Sequence, residues 1–228
     1  MDSEHLISRL AADLRPVRRV PPPAVSTLIW LVAAAAVVGA AVAAFGVRHD
    51  LPERLATSVD LPQAVLAGVT GIAAGFAAFQ LALPDRDGRW AWLPVAPALG
   101  WIGTLSWGCV QESLTVGVAA FVPGASVPCF VFILGLGLPL SLCGGFLARH
   151  AAGFRPTPVA ALVGLSAACF ASIGLTLVHQ LDAAASVLAS HGIAVAAVSL
   201  AAARIGPRVI PTPAAPDSRR GFPDAGMM

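Results

Sequence analysis

Apolar and polar positions fall along this chain in long blocks. Six uninterrupted apolar blocks occupy residues 25–47, 64–83, 92–110, 127–147, 158–178 and 183–203, and none contains Asp, Glu or Arg. At 1.5 Å of rise per residue, about 20 helical residues cross the hydrocarbon core of a bilayer. No water reaches the backbone there, so each segment must pair its own N–H and C=O groups, which requires helices. The pattern predicts an all-α protein: a polytopic membrane bundle of six transmembrane helices. The sixth block is the weakest, being rich in Ala and Ser and carrying His191. The first exceeds the roughly 7–15 apolar residues of a signal-peptide core and reads as a membrane anchor.

The polar flanks divide the chain into a head at 1–23, a transmembrane domain at 24–205 and a tail at 206–228. In the head, Ser3 suits an N-cap and Glu4 lies in the first turn, where a negative charge favours the helix dipole. Leu6, Leu10 and Leu14 then recur every four residues, flanked by Ile7 and Ala11. This spacing predicts one apolar stripe on a short amphipathic helix. Arg15-Pro16 ends it, and Pro21-Pro22-Pro23 stiffens the approach to the first span. Such a helix is marginal alone in water. Its stripe has three possible resting places: the membrane surface, the protein's own bundle or a partner's groove. The proline-rich tail predicts disorder.

Composition sharpens the class. Of 228 residues, 57% are hydrophobic and 11% charged, against about a quarter charged in soluble domains. The net charge of +2 does not suggest direct binding of nucleic acid. Every Lys-or-Arg position is arginine, and the arginines are unevenly placed. Arg9, Arg15, Arg18, Arg19, Arg86, Arg89, Arg149, Arg155, Arg204, Arg208, Arg219 and Arg220 fall on one side of the predicted topology, whereas only Arg48 and Arg54 fall on the other. The excess of arginine marks the cytoplasmic side, which predicts that both termini are cytoplasmic. Gly68, Gly71 and Gly75 in the second span, with Gly135, Gly137, Gly144 and Gly145 in the fourth, are of the kind that lets helices pack closely.

Groups able to do chemistry are few. Cys109 ends the third predicted span and Cys129 opens the fourth, both on the side away from the termini. In an oxidising compartment they could form a disulfide, worth about 3 kcal/mol by loop closure. Cys143 lies about 21 Å along the helix from Cys129, and Cys143 and Cys169 read as packing residues. Cys109 and Glu112 are three apart, as are His179 and Asp182, so each pair can face one way. Thiolate, carboxylate and imidazole suit a soft or borderline divalent metal; the same groups also suit loop solvation and helix capping. His191 predicts an interhelical hydrogen bond. No catalytic triad, carboxylate pair or phosphate-binding loop is present, so an enzyme is not expected. An ion-coupled transporter is expected to carry an intramembrane acid, and none occurs.

The chain resembles the NrsF-like membrane anti-sigma factors. The resemblance rests on the run from His5 to Pro21, on Trp107-Gly108-Cys109, Pro128-Cys129 and Gly153-Phe154-Arg155-Pro156, and on the stretch from His179 to His191, in that order. It implies a bacterial inner-membrane protein whose residues 1–23 hold an extracytoplasmic-function sigma factor. Leu6, Ile7, Leu10, Asp13, Leu14, Arg18 and Arg19 would form the contact. It also implies release on an envelope-side signal, metal or oxidative stress, through Cys109 and Cys129. No resident cofactor is expected, beyond a transient soft metal ion near Cys109, Glu112, Cys129, His179 and Asp182. Some members have a cysteine directly after the histidine that ends the fifth span; here that residue is Gln180. The rival expectation is a small membrane carrier or channel for a small molecule or metal ion.

Overall fold

A computed structural model describes residues 3–12, 20–57, 60–117, 127–149, 154–178 and 184–210. Every regular element among them is helical. In chain order they are α1 (Ser3–Ala12), α2 (Pro23–Phe45), α3 (Leu51–Thr57), α4 (Asp60–Leu81), a 3-10 turn (Gly88–Trp92), α5 (Val95–Val116), α6 (Val127–Ala148), α7 (Pro156–Val178) and α8 (Ala184–Val209). Six of these stretches are long and apolar enough to cross a membrane. The near end of the bundle is taken here as the end where α2 begins, and the far end as the end where α2 finishes.

The six expected spans are all helices, but several boundaries move. The third begins at Val95 rather than 92, because Trp92 belongs to the 3-10 turn. That turn is set by Asp87, whose carboxylate accepts a hydrogen bond from the Arg89 amide at 2.9 Å. At its other end α5 continues through Gln111 and Glu112 to Val116, so Cys109 lies inside a helix and not at its last turn. Gly117 closes α5 with φ 64, a conformation that costs other residues energy. α8 likewise runs to Val209, past residue 205, with Pro207 in its last turn. Residues 211–228 lie outside the described residues.

α7 is the centre of the bundle. α8, α4, α6 and α2 all pack on it, while α5 leans on α4 and α8. Small residues make this possible. A Cβ on Gly164 would stand 2.7 Å from the Cβ of Ala202 and 2.9 Å from the Cα of Ser199, so α7 and α8 meet backbone to backbone. Gly71 and Gly75 of α4, with Gly137 and Gly144 of α6, are in similarly close contact, as the glycine spacing predicts; Gly135 has open space around it. In a bilayer, lipid tails would be as apolar as the side chains, so close contact and interhelical hydrogen bonds would hold such helices together, rather than burial from water. Three hydroxyls inside the spans are paired with carbonyls one turn back: Thr70 bonds to Leu66 at 2.7 Å, Ser141 to Gly137 at 2.6 Å and Ser199 to Val195 at 2.8 Å.

Candidate functional site

Three places in the molecule bear on function: the N-terminal helix, the far-end cysteines and a buried polar joint in the interior.

α1 is helical over Ser3–Ala12, with Glu4 in its first turn and Arg9 in its last. Ile7 is 60% exposed, and Ser3, Glu4, His5, Ser8, Arg9, Ala11 and Ala12 are exposed as well. An apolar residue on an exposed short helix is a ready contact for another surface. The side chains of Leu6 and Leu10, and all of Asp13, Leu14, Arg18 and Arg19, lie outside the described residues.

The cysteines occupy four different environments. Cys129 is 3% exposed and packs with Ile133, Ala171, Leu175 and Ala194, so α6, α7 and α8 enclose it. Cys109 is half-buried on α5, Cys143 is exposed, and Cys169 is buried beside Ala67, Trp101 and Leu105. No disulfide joins any of the four. Between α5 and α6 lies α8: its Ala194 belongs to the cluster of Cys129, and its Val195 lies against that of Trp101 and Leu105. Of the five groups expected near a metal, only the Cys109 and Cys129 side chains are described. The Glu112 side chain, His179 and Asp182 lie outside the described residues. Among the described residues no three His, Cys, Asp or Glu side chains stand together as a metal site. His191 is 6% exposed and faces into the bundle, as expected of a polar residue in a span.

A salt-bridged turn closes the far end of α2. Arg48 is buried and grips Asp50 with two hydrogen bonds, Nε to Oδ1 at 2.7 Å and Nη2 to Oδ2 at 2.8 Å. The Arg48 guanidinium holds the Asp50 carboxyl well below the usual carboxylate range, at about 2. The Arg48 amide donates to the Leu177 carbonyl at 3.0 Å, fastening this turn to the last turn of α7. The second arginine of this loop is also paired, Arg54 lying 3.2 Å from Asp60.

The interior joint is not evident from the sequence. The Trp30 indole Nε1–H donates to Ser166 Oγ at 2.9 Å, and the Ser166 hydroxyl donates to the Gly71 carbonyl at 2.7 Å. This relay links α2, α7 and α4. Trp30 is fully buried. Its indole fits because Gly75 and Gly144 lack side chains: a Cβ on Gly75 would stand 3.0 Å from Trp30 Cδ1, and one on Gly144 would stand 3.3 Å from Cζ3. The only hint in sequence is chemical. An indole N–H inside a span needs an acceptor, and the serine that supplies it is 136 residues away.

This architecture is an all-helical bundle with six helices long and apolar enough to cross a membrane, an exposed N-terminal helix and no catalytic constellation among the described residues. A family model described as NrsF, negative regulator of sigma F, matches residues 10–211, and the chain belongs to that family. No curated protein and no solved structure matches it. The match takes in all six spans, Cys109, Cys129 and most of the expected contact residues, beginning after Leu6 and Ile7.

Proposed function

We propose that this protein is a membrane-bound anti-sigma factor. It holds an extracytoplasmic-function sigma factor at the bacterial inner membrane through its N-terminal segment. Both termini lie in the cytoplasm. The observation that carries the reading is the family match across all six spans, joined to an N-terminal helix that exposes Ile7. The arginine distribution supports the orientation. An envelope signal, a soft metal ion or an oxidant, releases the sigma factor through Cys109 and Cys129. Cys109 is half-buried and meets the signal first; Cys129, enclosed by three helices, is reached when their ends part.

The test is a pull-down of purified candidate sigma factors by the full chain in lipid nanodiscs, with and without residues 1–20. One sigma factor should be retained by the full chain alone. Replacing Leu10 and Leu14 with Asp should cut its affinity at least about a hundredfold, since burying a leucine contributes roughly 1.5–3 kcal/mol, while membrane insertion is unchanged. Equal retention by the truncated chain would rule out the N-terminal segment as the holding element.

A further inference from the structure

α2 connects directly to the N-terminal segment, yet it is among the spans least embedded in the bundle's core. Only Thr27, Trp30 and Ala34 are buried along its 23 residues. Towards the near end it is held by the Trp30 relay to Ser166 and Gly71. Towards the far end its holds are of another kind. Phe45 meets Phe132 of α6 edge to face, with ring centroids 5.7 Å apart. Gly174 of α7 leaves room there for neighbours: a Cβ on it would stand 3.3 Å from Val38 of α2 and 3.7 Å from both Phe132 and Leu136 of α6. Beyond Phe45, the Arg48 amide is bonded to the end of α7. Phe132 follows Cys129 by three residues and packs beside the cluster that encloses it.

We infer that α2 is a lever that carries far-end changes to the N-terminal segment, with the Trp30–Ser166 joint as its pivot. The inference rests on the proposed anti-sigma reading for what the lever controls, but not for its motion. Phe45 and Trp30 are 15 residues apart, about 22 Å along a rigid helix. The pivot is a directed hydrogen bond inside glycine-lined packing, so it fixes one point of α2 and leaves rotation about it. Within α2 itself the far-end contacts are dispersion contacts between aromatic and aliphatic groups, which slide at little cost, and the Arg48 bond to α7 lies beyond Gly46, outside the helix. Any change at Cys129 that shifts the first turn of α6 moves Phe132, and Phe132 pushes on Phe45 and Val38. With Trp30 held, the near end of α2 then swings, and Pro21-Pro22-Pro23 passes the swing to the head. Trp30 and Ser166 are positioning residues in this scheme, and the rigid body carries the coupling instead of a chain of side-chain contacts.

The experiment uses the full chain in nanodiscs, with its five tryptophans replaced biosynthetically by 5-fluorotryptophan. The Trp30 fluorine resonance is assigned by its loss in Trp30→Phe. Gly174→Val drives a wedge between α7, Val38 and Phe132; Phe45→Ala removes the aromatic contact without adding volume, which keeps the test intact if the wedge prevents folding. Each should shift the Trp30 resonance, and Gly174→Val should weaken sigma-factor binding at least about fivefold. With the pivot removed, the wedge loses its leverage: Gly174→Val combined with Trp30→Phe should bind within about twofold of Trp30→Phe alone. Ser166→Ala, which keeps the indole volume, should replace Trp30→Phe in that cycle with the same result. A Trp30 resonance indifferent to both far-end changes overturns the lever, as does a wedge effect of equal size with and without the pivot. If the resonance shifts but no variant, nor the parent, binds any sigma factor, the lever stands and the anti-sigma reading fails.

Discussion

α7 and α2 are each 23 residues long and comparably apolar, yet they occupy opposite positions in the molecule. α7 buries thirteen residues, and α8, α4, α6 and α2 all pack along it; α2 buries three and turns most of its surface outward. The difference arises from where the small residues lie, since hydrophobicity is similar in both. On α7, Gly164, Ala160, Ala167, Ala168 and Ala171 cover the sides that meet other helices, and nothing bulky holds the backbones apart. On α2 the alanines from 33 to 44 form no such set of contacts, and a single tryptophan pins the helix instead. In lipid, a helix becomes central by letting others come close and remains peripheral when it does not.

The comparison is most easily broken at Gly164. The Cβ of any other residue meets Ser199 Cα at 2.9 Å and Ala202 Cβ at 2.7 Å, atoms on a rigid backbone that cannot turn away. Gly164→Leu should therefore part α7 from α8, at a cost above the ~1–3 kcal/mol of ordinary overpacking. We expect no monodisperse protein by size-exclusion chromatography in mild detergent. A bulky residue at Gly39 of α2, with nothing within 4 Å of its Cβ position, should leave the profile unchanged.

Next in size is the pin itself. Trp30→Ala empties a site formed by Gly75 and Gly144 and leaves the Ser166 oxygen without the N–H it accepts from. Large-to-small core changes of this type cost about 3–5 kcal/mol, so detergent-melting temperature should fall sharply. Leu28→Ala, on the 62% exposed face of the same helix, should barely move it. Equal effects at the two positions would mean that α2 is held by its whole surface.

Six spans could be read from the sequence because lipid leaves an unpaired backbone no alternative to helix. The ends were harder to place for a related reason. Gln111, Glu112 and Asp60 are polar, so hydropathy stops before them, but helical hydrogen bonding continues into water as far as Gly117 at one end of α5 and back to Asp60 at the start of α4. The order of packing was not legible at all. Nothing in the apolar blocks marks the fifth as the spine, because Gly164 and Ala202 acquire meaning only when the helices they belong to meet. The same holds for Trp30 and Ser166. No feature of the apolar blocks separates Trp30, which joins three helices, from the other tryptophans of the chain. In the sequence Arg48 is one of two arginines on the side away from the termini; in the structure it is a buried grip on Asp50 and on the end of α7.

That grip yields a pH prediction at the far end of α2. Asp50 has its carboxyl held at about 2 against an ordinary value of 3.8, chiefly by the Arg48 hydrogen bonds. A depressed carboxylate pKa stabilises the folded state above the unfolded value and loses that contribution as pH falls through the folded value. The Arg48 amide, bonded to Leu177, should thus keep its protection from hydrogen exchange down to about pH 4 and lose it progressively towards pH 2. In Asp50→Asn the protection should be low already at neutral pH and nearly flat below it. Protection that survives in Asp50→Asn would show that the turn is held by packing alone.

The smallest effect separates two serines of α7 that sequence cannot tell apart. Ser166 and Ser172 are both buried, six residues apart on one helix. Ser166 accepts from Trp30 and donates to Gly71; the Ser172 hydroxyl oxygen has no hydrogen-bond partner. A buried polar group that makes no bond contributes nothing in return for the desolvation it has undergone, so removing it is neutral or mildly favourable. Ser166→Ala removes the indole's acceptor and should cost about 1–2 kcal/mol, the upper range for interhelical hydrogen bonds in membranes. Ser172→Ala should fall within about 0.5 kcal/mol of the parent. Reversible unfolding in mixed micelles, with both variants measured against the parent, resolves a gap of that size. A Ser172→Ala cost matching that of Ser166→Ala would mean that the second hydroxyl has a partner of its own, and that α2 is not alone in being pinned to α7 by a polar bond.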